Sequence, residues 1–434
     1  MTKKISPQSS PPSQGGSGGN KENIDHLFRH TAGKMVAVLT HFLGLHHLQL
    51  AEDVVQESFI KALQTWQLNG PPDNAEAWLL QVAKNKALDA LRRENLYNRF
   101  SKEQVQALTE TADEFFHEQE IADSQLRMIF ACCHPFLKQE DQVALTLQMV
   151  SAFSMPEIAR ALLTSETLVQ KRIYRAKTFL RDKNVPLEIP AGRDLQSRLE
   201  TVYTVLYLLF NEGYNSLKAE ELIRKDLCGE AMRCCLLLTE HHLIKQPEAH
   251  ALLALMCLQA SRFDSRISAQ NEIILLQEQN RSQWDRELIQ LGIQYLTLSS
   301  DCNRISSYHI EAAIAAEHAI AETFASTNWE RLLDLYDLLL QTKQSPVVQL
   351  NRAVVLAQLG NIEPAIMYIL SIPGIDRLLR TDHLYSAILG ELYKRLSNTI
   401  KAKEYLTHAQ QLTHSLAEKK LLQLRLDELL KMKN

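Results

Sequence analysis

The chain has 434 residues, 45% of them hydrophobic and 23% charged, with 47 Lys/Arg against 51 Asp/Glu for a formal net charge of −4. This is the make-up of a soluble globular protein long enough for two or three domains. No apolar run approaches eighteen residues and no signal peptide is visible, so a cytoplasmic protein with no membrane attachment is expected.

The seven cysteines are odd in number, include the adjacent pairs Cys132–Cys133 and Cys234–Cys235, and form no C-x-x-C. Reduced thiols packed in helices are expected, not a zinc site or a disulfide framework. Of the 14 Gly and 13 Pro, four Gly and three Pro fall in the first twenty residues. The remainder is poor in helix breakers, and the fold class reads as all-α.

Residues 1–22 are rich in Ser, Pro, Gly and Gln and nearly devoid of large apolar groups. They cannot bury enough surface to offset their ordering entropy and are expected to be a disordered tail. Helices start at Asn23, where Met35, Val36, Val38, Leu39, Phe42 and Leu43 make one apolar stripe before a break at Gly44. In the next helix Asp53, Gln56 and Glu57 share one face, while Val54, Val55, Phe59, Leu63 and Trp66 are expected to turn inward. Such a face is either solvated or suited to a protein partner carrying Arg residues. Asn69-Gly70-Pro71-Pro72 is a turn.

A third helix, Glu76 to about Asn98, sets Trp78, Leu79, Val82, Leu88 and Leu91 against Lys84, Asn85, Lys86, Asp89, Arg92 and Arg93. From 84 to 99 it holds five basic and two acidic residues. A basic helix with amide and aromatic groups suits phosphates and unpaired bases. Residues 101–123 then carry seven acidic residues against Lys102 alone, and read as an acidic linker. Leu126, Ile129, Phe130, Leu145, Leu147 and Met149 supply the apolar positions of the helices that follow.

The stretch 154–183 predicts a helix, a tight break and a second, basic helix. Ser154 and Glu157 fit a capping box with Pro156 in the first turn, and Thr164 or Ser165 starts the second helix. Leu168, Val169, Ile173, Ala176 and Leu180 recur at roughly helical spacing, and Thr167, Gln170, Lys171, Arg172, Arg175 and Lys177 fall between them. Seven Lys/Arg stand against three Asp/Glu here. A basic helix behind a tight turn is the helix-turn-helix arrangement, whose second helix enters the major groove. Leu163 stands where such turns often place Gly.

Residues 190–434 are helical almost throughout. Asn211-Glu212-Gly213-Tyr214-Asn215 reads as a helix stop with Gly213 in the left-handed conformation. Gly390, Tyr393, Ala402, Leu406 and Ala409 fit the tetratricopeptide spacing of small and large residues. Ala353, Leu356, Ala365 and Ile369 fit it one unit earlier, at an offset of 37 residues, and the turns Gly360-Asn361 and Ser397-Asn398 share that offset. Repeats are expected near 346–415.

AEDVVQESFIKALQTW, EAWLLQVAKNKALDALRRE and the block 154–183, in this order and spacing, resemble the two promoter-binding domains of extracytoplasmic-function (ECF) RNA polymerase sigma factors. The resemblance implies a region 2-like domain at 23–100, the linker at 101–123 and a region 4-like helix-turn-helix domain at 124–184. It implies that Asp53, Gln56 and Glu57 dock on the clamp helices of the polymerase largest subunit. It further implies that Lys84, Asn85, Lys86, Asp89, Arg92 and Arg93 melt and hold the downstream promoter element. Thr167, Gln170, Lys171, Arg172, Arg175 and Lys177 would read the upstream element. The strings FNEGY (210–214), LLALM (252–256), YHIEAAIAAEHA (308–319) and SPVVQLNRAV (345–354) resemble the subgroup with a C-terminal tetratricopeptide-like extension. Asn280 stands where that subgroup suggests Asp.

The implied partners are core RNA polymerase and promoter DNA, with a further protein partner for the repeats if they do not act in cis. No cofactor or metal is implied. An enzyme is not expected, since no Gly-rich phosphate loop, G-x-S-x-G or H-E-x-x-H occurs, and His46–His47 and His241–His242 lack partners at metal-ligand spacing. AAIAA suggests tight helix packing, and His309 and His318 read as structural. The alternative is a helix-turn-helix regulator or tetratricopeptide adaptor acting without core polymerase. Such a protein has no need of the acidic-then-basic helix pair at 51–99.

Overall fold

The computed structural model describes residues 19–96, 102–162, 164–214, 223–242, 244–268, 272–302 and 304–431. The first eleven helices are α1 Gly19–Leu43, α2 Leu48–Asn69, α3 Ala75–Leu96, α4 Lys102–Phe115, α5 Glu118–Cys132, α6 Gln139–Met149, α7 Met155–Ala161, α8 Glu166–Asp182, α9 Arg193–Tyr214, α10 Lys225–Glu240 and α11 Pro247–Ala260. They continue with α12 Phe263–Arg266, α13 Arg286–Ser299, α14 Ser307–Ile320, α15 Trp329–Thr342, α16 Pro346–Gln358, α17 Ile362–Leu370, α18 Ile375–Thr381, α19 His383–Arg395, α20 Thr399–Leu412 and α21 Leu416–Lys431. Among the described residues there is no strand, only an isolated antiparallel bridge between Ile267 and Ile273. The all-α expectation is met. The chain divides into two compact units at Arg198 and Leu199.

The tail expected to be disordered lies outside the described residues up to 18, and its last four residues already belong to α1. In the first unit α1 is the central element, packed against α2, α3, α4, α5 and α6. Its stripe of Met35, Val36, Val38, Leu39, Phe42 and Leu43 is buried, as the pattern requires. A side chain at Gly33 would place its Cβ 2.0 Å from the Val150 carbonyl oxygen, so only glycine lets α1 approach the end of α6 this closely. The acidic connector is not extended. It folds into α4 and the start of α5, with Ala112 buried and Phe115 set edge-on to Phe42 at 5.4 Å.

The helix-turn-helix forms as its sequence dictates. Ser154 accepts from the Glu157 backbone N–H at 3.4 Å, while the Glu157 carboxylate receives the Ser154 N–H at 2.8 Å. Ser165 caps α8 by accepting from Leu168 N at 3.2 Å. Val169, Ile173, Ala176 and Leu180 are buried beneath α8, whereas Leu168 is 40% exposed and leaves the expected stripe. Leu168 lies on the first turn of α8, a position off the arc formed by the other four. Leu163 lies outside the described residues.

In the second unit, α16–α17 and α19–α20 are antiparallel hairpins at the expected repeat positions. The two turns are built alike. Gly360 has φ +90° and Ser397 φ +59°, and the following N–H groups of Asn361 and Asn398 donate to Leu356 O at 3.1 Å and Tyr393 O at 3.0 Å. The short helix α18 lies between the hairpins and fits a repeat offset longer than the usual 34 or so. A Cβ at Gly390 would meet Leu406 Cγ at 2.7 Å, the small-against-large contact that brings α19 onto α20.

Gly213 differs from its expected role. It is inside α9, not left-handed, and a Cβ there would lie 2.7 Å from Cys228 Sγ and 2.8 Å from Arg224 O. The glycine permits close packing onto α10. Ala312, Ala315 and Ala316 of the AAIAA segment are buried in the core with α11. His309 Nε2 lies 3.1 Å from Ser299 O, and His318 is pushed down to about 4 by burial, then by Arg262 and Arg281. Asn280 Oδ1 accepts from Ser282 N at 3.0 Å, a capping role a neutral amide fills without an ion pair. None of the seven cysteines is in a disulfide, and six are buried.

Candidate nucleic-acid interface

The α2 helix turns Ala51, Val54, Val55, Ser58, Ala62 and Trp66 into the core and leaves Asp53, Gln56 and Glu57 exposed on its outer side. Asp53 accepts from Gln49 Nε2 at 3.0 Å. Leu63 does not turn inward. It is 55% exposed, beside Ile60 at 53%. At about 100° per residue, positions 53, 56, 57, 60 and 63 share one arc of the helix. Two apolar side chains therefore extend the acidic face, a feature that assigning every apolar residue to the core conceals.

On α3, Leu79, Val82, Ala83, Ala87, Ala90 and Leu91 are buried, and Trp78 packs on Trp66 with ring centroids 5.4 Å apart. Asn85, Asp89, Arg92 and Arg93 are exposed, with Lys84 and Lys86 partly so. Lys84, Lys86 and Arg92 are ion-paired within the protein. Lys84 Nζ donates to Asp113 Oδ1 of α4 at 2.5 Å, and Lys86 Nζ to Glu57 Oε2 of α2 at 2.8 Å. Arg92 donates to Asp89 at 3.0 Å, and Asn85 accepts from Gln81 at 3.2 Å. The hydrogen bond from Lys86 holds the Glu57 carboxyl below the usual range against the cost of burial, with the charges of Lys86 and Arg93 acting in the same direction as the hydrogen bond. Lys84 does the same for Asp113. A connector helix thus covers one of the cations expected to face DNA.

The outer side of α8 presents Thr167, Gln170 and Lys171 exposed and Arg172 partly exposed. Arg175 and Lys177 are placed otherwise than the pattern suggests. Arg175 forks onto both oxygens of Asp141, with its Nε at 2.8 Å, and Asp141 is only 1% exposed in the first turn of α6. That hydrogen bond raises the guanidinium still further above its ordinary value. Removing the arginine would strand a buried carboxylate. Lys177 Nζ reaches Glu52 of α2 at 2.7 and 2.9 Å, joining the helix-turn-helix to α2.

The two histidine pairs do not converge on ligands: His46 Nε2 is 2.9 Å from Asn184 Oδ1, and His241 stacks on His242 at 4.9 Å. Among the described residues no group of three or more His, Cys, Asp or Glu is placed to hold a metal ion, and no helix is long and apolar enough to cross a membrane.

Comparison with known proteins matches this geometry to named domains. Residues 27–96 match Sigma-70 region 2, residues 127–180 match Sigma-70 region 4, and residues 198–300 match a family of unknown function, DUF6596. An uncharacterized protein of Rhizobium meliloti (strain 1021) is 35% identical over 404 residues, covering 91% of this chain and 93% of its own. The ECF RNA polymerase sigma-E factor of Haemophilus influenzae is 28% identical over 180 residues, 39% of this chain and 91% of that one. The RNA polymerase sigma factor YlaC of Bacillus subtilis is 26% identical over 165 residues, 37% of this chain and 92% of that one. No solved structure matches.

The chain therefore belongs to the sigma-70 family: it is an RNA polymerase sigma factor of the ECF type. The DUF6596 match begins where the second unit begins, so that unit is an extension beyond the two sigma regions.

Proposed function

We propose that this sigma factor meets core RNA polymerase through the outer face of α2, holds the downstream promoter element with α3, and reads the upstream element with the N-terminal half of α8. Asp53, Gln56 and Glu57 supply the acidic and amide contacts, and Ile60 and Leu63 the apolar ones. Lys84, Asn85, Lys86, Asp89, Arg92 and Arg93 serve the downstream element. Thr167, Gln170, Lys171 and Arg172 face the major groove, and Lys177 contacts phosphate once it leaves Glu52. Arg175 is foremost the strut that fixes α8 on α6. Work of this kind belongs in the cytoplasm, and the protein acts there by positioning polymerase on DNA, without catalysis or cofactor of its own.

The observation that carries this reading is the exposed arc of α2, where carboxylates and two bare aliphatic side chains lie opposite a fully buried stripe. Charge reversal at Asp53 and Glu57 is expected to abolish co-purification with core polymerase. The fold should survive, because exposed substitutions cost under about 0.5 kcal/mol. Retained binding by a folded double variant would remove the assignment.

The second unit is proposed to set promoter output in cis. A domain on a short tether acts at an effective concentration on the order of mM. Pro186 and Pro190 stiffen residues 183–192, which lead into α9, the helix that carries the chain from the first unit into the second. Arg198 Nη2 donates to Phe130 O, so a truncation that respects the first unit ends after Arg198. Such a truncation should change promoter output several-fold. Unchanged output would favour a docking role for the repeats toward a separate protein.

A further inference from the structure

The helix α21 turns Leu422 and Leu429 into the core it shares with α19 and α20. Its outer side is uncovered among the described residues, yet lacks the polar surface that an outermost helix of a repeat stack needs for solubility. Leu416, Leu424 and Leu430 are 60%, 52% and 56% exposed there, and the exposed Lys420 and Asp427 stand between them. At about 100° per residue these five positions fall within about 120° of the helix, on the side away from the core. Single exposed apolar residues are ordinary, but three leucines on one arc make a patch about 21 Å long. Among the described residues Lys420 is in no ion pair, and Asp427 accepts from Gln423 Nε2 of the same helix at 2.8 Å.

These residues are self-complementary on reversal. Leu424 lies at the centre, Lys420 and Asp427 flank it, and Leu416 and Leu430 lie at the two ends. A second copy of α21 can be laid antiparallel, with a two-fold axis crossing near Gln423 and Leu424. Leu424 then meets Leu424 of the other copy, while Leu416 meets Leu430 and Lys420 meets Asp427, each twice. A parallel pair would instead oppose lysine to lysine and aspartate to aspartate, a repulsion that selects against it. We propose that this protein self-associates through α21, as an isologous antiparallel pair of helices. The interface is small, so the pair holds with an affinity on the order of μM and depends on protein concentration. The assembly joins two second units and so carries two copies of the promoter-binding unit. The inference does not rest on the α2 docking face.

The test is sedimentation velocity on the full-length protein over a concentration series. The parent should pass from monomer to dimer as concentration rises, and no further. Leu424→Glu sets two like charges at the axis and should hold the protein monomeric. Its urea midpoint, measured where the parent is monomeric, should be unchanged because the site is exposed. Lys420→Glu and Asp427→Lys each turn two attractive pairs into repulsive ones, and each should raise the dissociation constant about three- to ten-fold. The double variant Lys420→Glu/Asp427→Lys restores the opposite charges in exchanged positions and should return to the parent's value. A parent that stays monomeric or grows beyond a dimer overturns the proposal, as does a dimer that survives Leu424→Glu. Single charge variants without effect, or a double variant no better than the single ones, overturn it too, since the antiparallel pairing requires both results. Should Leu424→Glu lower the midpoint, the charge series decides alone.

Discussion

The two units of this protein differ in where they place particular cations. In the first, cations sit at the surface and pair across helix boundaries: Lys84 with Asp113, Lys86 with Glu57, Lys177 with Glu52. In the second, an arginine goes inside. Arg281 is 6% exposed and donates to the carbonyls of His318 at 2.5 Å and Ala321 at 2.7 Å, while its guanidinium lies 4.9 Å from the Trp284 ring centre. Surface pairs are weak and exchangeable, whereas a buried arginine that satisfies helix-end carbonyls is part of the architecture. The first unit keeps these three cations near its surface, and the second builds Arg281 into its interior.

That contrast breaks most readily at Gly213. Replacing it with Val forces a side chain into Cys228 Sγ, the Arg224 carbonyl and Leu227, all within 2.9 Å of the first added carbon. Overpacking of this kind costs about 3 kcal/mol, read as a lower urea midpoint for the second unit. An unchanged midpoint would mean that the α9–α10 contact is looser than described.

A smaller effect tests the exception in the first unit, where one DNA-side arginine is architectural. Arg175→Ala should cost about 1–2 kcal/mol by stranding Asp141, half of what a fully buried pair loses because the arginine itself is half-exposed. Gln170→Ala should leave the midpoint unmoved and relax base preference at one upstream position by about 1–3 kcal/mol. Equal loss of stability in both variants would erase the distinction between strut and reader.

The smallest effect is pH-dependent and lies in the second unit. His383 is raised above 6.5, first by its hydrogen bond to Glu418 and against the cost of burial. A raised folded value means the pair contributes fully below the unfolded value and is lost as pH rises through the folded one. His383→Gln should therefore lower stability by under about 1 kcal/mol near pH 6, with no difference from the parent at about pH 9. A difference that grows with pH would have the wrong sign.

Much of this was legible in the sequence because it is local. The capping box at Ser154, the buried stripe under α8 and the matching turns at Gly360 and Ser397 all follow from spacing within a few residues. What spacing cannot reveal is who meets whom. Glu52 and Lys177 are 125 residues apart, and Asp141 and Arg175 are 34 apart. No periodicity joins them, so both cations read simply as DNA contacts. Leu63 was assigned inward because it is apolar, although its helical angle places it with Gln56 and Ile60. Gly213 was read as a stop because glycines end helices often, whereas here the missing side chain serves an interhelical contact. The helical α4 was hidden by its charge, since seven acidic residues between 101 and 123 suggest a solvated linker. Ala112 and Phe115 were the signal that part of it would fold back on α1.

The most direct test of the central claim is transcription by purified core polymerase over a genomic DNA library, with and without this protein. Initiation should appear at a discrete set of start sites sharing upstream and downstream elements. It should disappear when Asp53 and Glu57 are reversed in charge. Equal initiation without the protein, or sequence-specific DNA binding by the protein that core polymerase neither requires nor enhances, would contradict the account.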